Sequence, residues 1–144
     1  MEEKTREILK NGEYGVLSMQ DTEGGAYGVP MIYVWDRGNS IYLQCAPAGH
    51  MLDCVKECNK VSFCVVGKTK VDLESMTYRH ESTVMECEAH VSLHQSERMS
   101  ALSMMVSKYA PNKKIEGMEM AEKSFHRIEI IRLDILKTDT KSNL

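Results

Sequence analysis

The chain has 144 residues, of which 42% are hydrophobic and 27% are charged, values typical of one globular domain with its own core. The formal net charge is −3 and the 18 lysines and arginines are scattered, which argues against a nucleic-acid partner. No apolar run reaches the roughly 20 residues of a membrane-spanning helix, and the charged N-terminal segment does not resemble a signal peptide. We therefore expect a single domain over residues 1–144 in a soluble, cytoplasmic protein without a membrane partner.

The cysteines and histidines carry no spacing typical of a metal site. There are 5 cysteines, an odd number that indicates reduced thiols rather than disulfides. Cys54 and Cys58 are four residues apart on a predicted helix, whereas zinc sites use C-x2-C pairs with two further ligands. His90 and His94 have H-x3-H spacing, but they lie at a strand end and in the following turn. The sequence therefore predicts no metal site.

The first half of the chain alternates short elements with turns. Its predicted elements are a charged helix over residues 2–11 and strands over residues 14–19, 27–35 and 40–45. The strand over 27–35 is apolar on both faces, which is typical of a strand inside a barrel wall or at a subunit interface. The turn at 36–39 joins it to the next strand as a hairpin.

The second half of the chain contains more helix. Its predicted elements are a helix over 49–58, a strand over 61–66, a polar irregular stretch over 68–80, a strand over 82–91, helices over 96–109 and 113–123, a strand over 125–136 and a frayed tail over 137–144. The phase of the apolar residues slips between Ile130 and Ile131, which indicates a β-bulge or a change of partner. About six hairpin-linked strands with helices at the ends predict a small antiparallel barrel. The absence of βαβ alternation and of G-x-G-x-x-G argues against a Rossmann dinucleotide-binding fold.

Three runs of sequence carry a family resemblance. They are Y-G-V-P-M-I-Y-V-W-D from Tyr27, I-Y-L-Q-C-A-P-A-G-H-M-L-D from Ile41 and N-K-V-S-F-C-V-V-G-K from Asn59. In this order they resemble the pyridoxamine 5′-phosphate oxidase-like split-barrel flavoproteins, and within that group the nitroimidazole-resistance (Nim) type, over roughly residues 12–111. The resemblance implies a mainly β (α+β) fold, a six-stranded antiparallel split β-barrel with flanking helices. It also implies a homodimer with FMN in clefts between the subunits.

The FMN contacts are implied by position. Those along the isoalloxazine ring are Val29, Pro30 and Met31; those beside the ring and ribityl chain are Gln44, Cys45 and Ala46; those at the phosphate are Gly49, His50 and Met51; and Ser82 is a polar contact. The residues alone also favour a phosphate at the helix start, because a helix N-terminus presents free N–H groups and a positive dipole end.

Met51 departs from the family pattern. The resembling sequences normally have lysine at this position, where it pairs with the phosphate, and methionine cannot do so. Losing a charge-assisted contact typically costs about 1.5–3 kcal/mol, or roughly tenfold to a hundredfold in affinity. Binding would then depend on the helix N–H groups and on His50, whose imidazolium form favours a phosphate.

The predicted function is an FMN-dependent oxidoreductase that reduces a small flat acceptor such as a nitroaromatic. No Ser-His-Asp or paired-carboxylate arrangement is evident, so no catalytic residue is predicted beyond those that hold the cofactor. Two alternatives remain. The same cleft could form a non-catalytic binding module for heme or another small ligand, with His50 as the candidate heme ligand. The chain could also be a dimeric scaffold without a cofactor.

Overall fold

The computed structural model describes residues 1–144. The elements are α1 (Glu3–Asn11), β1 (Gly15–Gln20), β2 (Ala26–Met31), β3 (Tyr33–Trp35), β4 (Ser40–Cys45), α2 (His50–Glu57), β5 (Lys60–Asp72), β6 (Thr77–His90), α3 (Gln95–Tyr109), α4 (Lys114–Ser124) and β7 (Glu129–Ser142), with short 3-10 turns at Pro111–Lys113 and Phe125–Arg127. None of the helices combines the length and the apolar character that crossing a bilayer requires.

All strands belong to one antiparallel sheet in the order β2-β1-β5-β6-β7-β4-β3. Its two edge strands, β2 and β3, are consecutive in the chain and separated only by Ile32. The sheet must therefore curl until its edges approach each other, which gives an open, barrel-like sheet. The expected mainly β, α+β fold with flanking helices is confirmed, but the expected count of six strands was wrong, because the sheet has seven.

The extra strand arises because the predicted strand over 27–35 divides at Ile32. Before the division Met31 pairs with Gly15, and after it Tyr33 pairs with Leu43 at the other end of the sheet. The side chain of Tyr109 fixes the division, because its hydroxyl accepts from Tyr33 N at 3.1 Å and lies 2.8 Å from Tyr33 O. The expected burial on both faces holds for β3, whose residues are all buried, but β2 alternates between exposed and half-buried residues.

Two segments predicted to be irregular are strand. β5 continues to Asp72 and β6 begins at Thr77, and these two residues pair across a tight turn. The predicted irregular stretch over 68–80 was therefore wrong except for the turn over 73–76. The frayed tail was also wrong over 137–142, because Lys137 pairs with Glu86 and Ser142 with Glu81. These ladders lie beyond the apolar core, so their backbone pairing leaves no alternation of apolar residues in the sequence.

The apolar residues of β7 change phase along the strand because the strand contacts two cores. Ile130 packs in a second core beneath α3 and α4, whereas Ile131, Leu133 and Ile135 pack in the main core, so the strand is covered on both faces. A bulge does occur, but further along, because Glu86 pairs with Lys137 while Cys87 pairs with Ile135. Leu136 is the unpaired residue.

The two cores lie on opposite faces of the sheet. The main core contains, among others, Leu17, Tyr33, Phe63, Met85 and Leu133, together with Leu52, Cys54 and Val55 of α2. The second core contains Val34, Tyr42, Ala101, Leu102, Met105, Ala121 and Ile130. Helices α3 and α4 therefore cover the outer face only over β3, β4 and β7, and they leave it open over β2, β1, β5 and β6.

Candidate functional site

The start of α2 forms the centre of the candidate site. β4 ends at Cys45, and the exposed loop over 46–49 turns the chain into the helix. Gly49 has φ +150°, a backbone conformation that residues with a side chain rarely adopt. No side chain caps the helix, and its first main-chain bond runs from Asp53 N to Gly49 O. The N–H groups of the first turn are therefore available to an anionic ligand.

His50, the first residue of α2, contacts three other residues. Its Nε2 lies 2.5 Å from Asp21 Oδ1 and 3.5 Å from Cys54 Sγ. Its ring meets the ring of Tyr27 edge to face, with the ring centroids 5.0 Å apart. The side chain of His50 is 49% exposed. These contacts join the helix start to the β1–β2 turn and to the first residues of β2.

Asp21 is held firmly in the β1–β2 turn. Its Oδ2 accepts from Glu23 N at 3.0 Å, and its main-chain N donates to Gly25 O at 2.8 Å. The N–H of Glu23, and next the side chain of His50, lower the pKa of the Asp21 carboxyl below its ordinary value. Asp21 therefore keeps a negative charge at neutral pH beside the start of α2.

The predicted residues of β2 and β4 face different ways. Val29 and Met31 pack against the main core, whereas Pro30 between them is exposed on the outer face. Cys45 also packs against the main core, and burial, with a smaller effect of Glu129, raises its pKa to about 11. Gln44 borders a cavity between the sheet and helices α3 and α4. Cys45 is thus a protonated core thiol at neutral pH.

The structure brings together most, but not all, of the predicted cofactor contacts. Ala46, Gly49, His50 and Met51 lie within six residues of one another around the helix start. The contact between His50 and Tyr27 places the beginning of β2 beside them. Ser82 lies elsewhere in the sheet. It pairs with Val66 of β5, whereas Asp21 follows Ser18 of β1, which pairs with Ser62 of β5. Ser82 and Asp21 are therefore several residue pairs apart along the strands. At about 3.3 Å per residue, Ser82 and Asp21 of one chain are roughly 20 Å apart.

Two contacts of the site were missed at the sequence level. No role is predicted for Asp21 from the sequence, and Cys54 is considered there only with Cys58, as a pair without zinc-site spacing. The i, i+4 spacing of His50 and Cys54 on a predicted helix was a visible signal that they share a face. Asp21 gave no such signal, because its position beside His50 depends on how β1 packs against α2.

Lys108 is a partly buried cation outside this site. Its Nζ donates to Tyr33 O at 2.9 Å and lies 3.6 Å from the centroid of the Tyr33 ring. Burial lowers the pKa of Lys108 to about 8. The lysine lines a cavity with Leu9, Trp35 and Arg37.

A sequence profile of the pyridoxamine 5′-phosphate oxidase family matches residues 1–138. The chain belongs to this family. The family resemblance proposed from the sequence is therefore confirmed. No curated protein sequence matches the chain significantly.

Solved structures of other proteins share the fold of this family member. A proposed 5-nitroimidazole antibiotic resistance protein from Bacteroides thetaiotaomicron superimposes with a TM-score of 0.77 at 18% identity, over 97% of this chain and 83% of that chain. The flavocytochrome Anf3 from Azotobacter vinelandii gives 0.79 at 13% identity, over 100% and 68%. An FAD- and heme-binding protein from Mycobacterium smegmatis gives 0.77 at 12% identity, over 99% and 71%.

Proposed function

We propose that the chain is a flavin-dependent oxidoreductase that binds FMN at the start of α2 and reduces a small flat acceptor such as a nitroaromatic. The observation that carries the proposal is the uncapped first turn of α2, which follows the constrained Gly49 and lies against β2, in a chain that matches the pyridoxamine 5′-phosphate oxidase family over residues 1–138. The fold shared with a proposed nitroimidazole resistance protein supports the choice of acceptor.

The residues at the helix start fit a phosphate group. The N–H groups of His50 and Met51 are free to donate, and Gly49 gives an anion room to approach the backbone. The Nε2 of His50 faces Asp21, which leaves Nδ1 for the phosphate. Because a neutral imidazole carries only one proton, Nδ1 donates as well as Nε2 only in the imidazolium form.

The isoalloxazine ring would lie along the main chain of Val29, Pro30 and Met31 on the edge strand β2, because their side chains face opposite sides of the sheet. Gln44, Cys45 and Ala46 at the end of β4 would border it. Bound FMN would supply the redox chemistry, and the chain would supply orientation, electrostatics and exclusion of water. Two cysteines near the site do not provide competing nucleophiles. Burial raises the pKa of Cys45, and Cys54 is fully buried.

The cleft is proposed to form between two copies of the chain. Pro30, Val16, Cys64 and Val84 are successive cross-strand neighbours on the outer face that α3 and α4 leave open. Val16 is 36% and Val84 is 42% exposed, so the row presents apolar surface that a second copy would cover. Ser82 precedes Val84 by two residues on β6 and lies on the same face. It would therefore reach a cleft only from the second copy.

Heme is a second candidate ligand. The side chain of His50 is 49% exposed beside the same helix start, and two proteins with the same fold are a flavocytochrome and an FAD- and heme-binding protein. Iron ligation through Nε2 would displace Asp21. Hemin titration of the wild type and of His50→Ala tests this candidate: a Soret shift that is lost in the variant supports it, and an unchanged shift excludes His50 as the ligand.

Turnover tests the proposed oxidoreductase function. Purified protein loaded with FMN is supplied with NADPH or NADH and a nitroaromatic acceptor, and reductant consumption is followed against free FMN at the same concentration. We expect consumption by the complex to exceed that of free FMN and to depend on the acceptor. A loaded protein that is no faster than free FMN would contradict the oxidoreductase and leave a flavin-binding module.

A further inference from the structure

Asp21, His50 and Cys54 form a cluster of three potential metal ligands. One ligand atom from each lies within 4.8 Å of the other two. The carboxylate and the thiol both face the same ring nitrogen, His50 Nε2, at 2.5 and 3.5 Å. A histidine that relays a proton between two groups uses its two different nitrogens. A single nitrogen, with one proton or one lone pair, satisfies only one of these partners, so the cluster does not form a relay.

A metal ion would satisfy all three groups at once. We propose that Asp21 Oδ1, His50 Nε2 and Cys54 Sγ bind one divalent transition-metal ion of the zinc class, with a fourth position open to solvent. Thiolate and imidazole ligands select such ions over magnesium and calcium, which prefer oxygen ligands alone. Binding displaces the thiol proton of Cys54, and the proton of His50 resides on Nδ1.

One of the three separations already fits tetrahedral coordination, and the carboxylate would have to move. Metal–ligand bonds of about 2.0–2.3 Å place neighbouring ligand atoms roughly 3.2–3.8 Å apart. The separation of His50 Nε2 and Cys54 Sγ, 3.5 Å, already lies in this range. The 2.5 Å between Nε2 and Asp21 Oδ1 is a hydrogen-bond distance. It would need to lengthen by about 1 Å for both atoms to bind one ion.

The surroundings of the cluster suit a site that is closed on one side. Cys54 is fully buried in the main core, whereas the side chains of Asp21 and His50 are 24% and 49% exposed, so an ion can enter from the solvent. His50 and Cys54 share one face of α2 at i, i+4 spacing, the spacing of helical metal-binding pairs. Glu23 N orients the carboxylate of Asp21 by donating to its Oδ2, as outer-shell groups do at metal sites.

The test uses reduced, metal-free protein without added flavin, because the inference does not depend on FMN. Titration with cobalt(II) should give thiolate-to-cobalt charge-transfer absorption that saturates at one ion per chain and is displaced by zinc. Cys54→Ala should abolish this absorption. His50→Gln and Asp21→Asn should weaken cobalt binding by more than the roughly 10–100-fold typical of outer-shell changes.

Cys58→Ser is the matched control, because Cys58 is a half-buried cysteine next to the same helix whose sulfur faces Lys60 O instead. It should bind cobalt as the wild type does. If Cys54→Ala does not fold, as judged by circular dichroism, cobalt binding by His50→Gln and Asp21→Asn decides the question. The proposal is overturned if the wild type shows no charge-transfer absorption, if Cys58→Ser abolishes it, or if both His50→Gln and Asp21→Asn retain wild-type affinity.

Discussion

His50 and Asp21 lie 29 residues apart in the sequence, yet His50 Nε2 and Asp21 Oδ1 are 2.5 Å apart. The contact fixes the first turn of α2 against the β1–β2 turn, and the edge-to-face contact of His50 with Tyr27 extends it to β2. It also places a carboxylate beside a helix start that otherwise favours anions. The affinity of this site for a phosphate therefore depends on groups that add positive charge.

Met51→Lys should strengthen FMN binding. Met51 follows His50 on the first turn of α2 and is half-buried, and a lysine there would add a charge-assisted contact to the phosphate. We expect the Kd for FMN, measured by quenching of flavin fluorescence, to fall by roughly tenfold or more. Met120→Lys is the control, because Met120 lies on α4 and is 68% exposed. An unchanged Kd in Met51→Lys would place the phosphate elsewhere.

Val16→Glu should weaken the proposed dimer. Val16 lies in the middle of the apolar row on the open outer face, between Pro30 and Cys64, and a buried unpaired carboxylate at an interface is costly. Sedimentation velocity should show a dimer for the wild type and a larger monomer fraction for Val16→Glu. Met120→Glu, which places the same charge on α4, should sediment as the wild type does. A monomeric wild type would refute the dimer.

Tyr33→Phe should destabilise the attachment of α1 to the sheet. Tyr33 is fully buried, and its hydroxyl donates to Leu9 O at 2.6 Å in the last turn of α1. The variant leaves this carbonyl without its partner, so urea unfolding should give a loss of about 1–3 kcal/mol. Tyr14→Phe, at a position that is 56% exposed, should change the free energy by less than about 0.5 kcal/mol. Equal losses in the two variants would contradict this account.

Lys108 should make the stability of the protein rise with pH. Burial lowers its pKa in the folded chain to about 8, against 10.5 for an ordinary lysine. Between these values the unfolded chain binds more protons than the folded one, so the free energy of unfolding increases as the pH rises through this window. We expect a gain of about 1–2 kcal/mol from this residue, after allowing for the solvent that screens a half-buried group.

The free energy of unfolding should be measured with urea at about pH 7.5 and about pH 9.5, at equal ionic strength. The difference in stability between the wild type and Lys108→Met should increase between these two pH values in favour of the wild type. Lys56→Met removes an exposed lysine on α2 and should show no such divergence. Parallel pH profiles for the wild type and Lys108→Met would show that Lys108 keeps an ordinary pKa.

The sequence predicts the elements whose apolar pattern is local. β4, Ser40–Cys45, has the predicted bounds, and α3, Gln95–Tyr109, differs by one residue, because a turn or a proline marks their ends. The division of β2 from β3 at Ile32 was not predictable in this way. The division arises because β2 pairs with β1 whereas β3 pairs with β4. The sequence of an apolar run does not show where its partner strand changes.

The candidate site shows the same contrast between residues that are neighbours in the sequence and residues that only the folding of the chain brings together. The structure places Ala46, Gly49, His50 and Met51 together because they are neighbours in the chain around a glycine and a helix start. Asp21 was not included, because only the packing of β1 against α2 brings it to His50. Ser82 was included by resemblance, and the structure places it in the interior of β6, paired with Val66 and away from the start of α2.

We infer that FMN binds at the start of α2, and fluorescence titration of three proteins can decide this. We expect the wild type to quench FMN fluorescence with saturation at micromolar concentration. Gly49→Ala should raise the Kd by roughly tenfold or more, since alanine is strained at φ +150°. Gly25→Ala, where an added Cβ meets nothing within 4 Å and no such φ is required, should bind as the wild type does. No quenching by the wild type, or equal Kd values for wild type and Gly49→Ala, would contradict the claim.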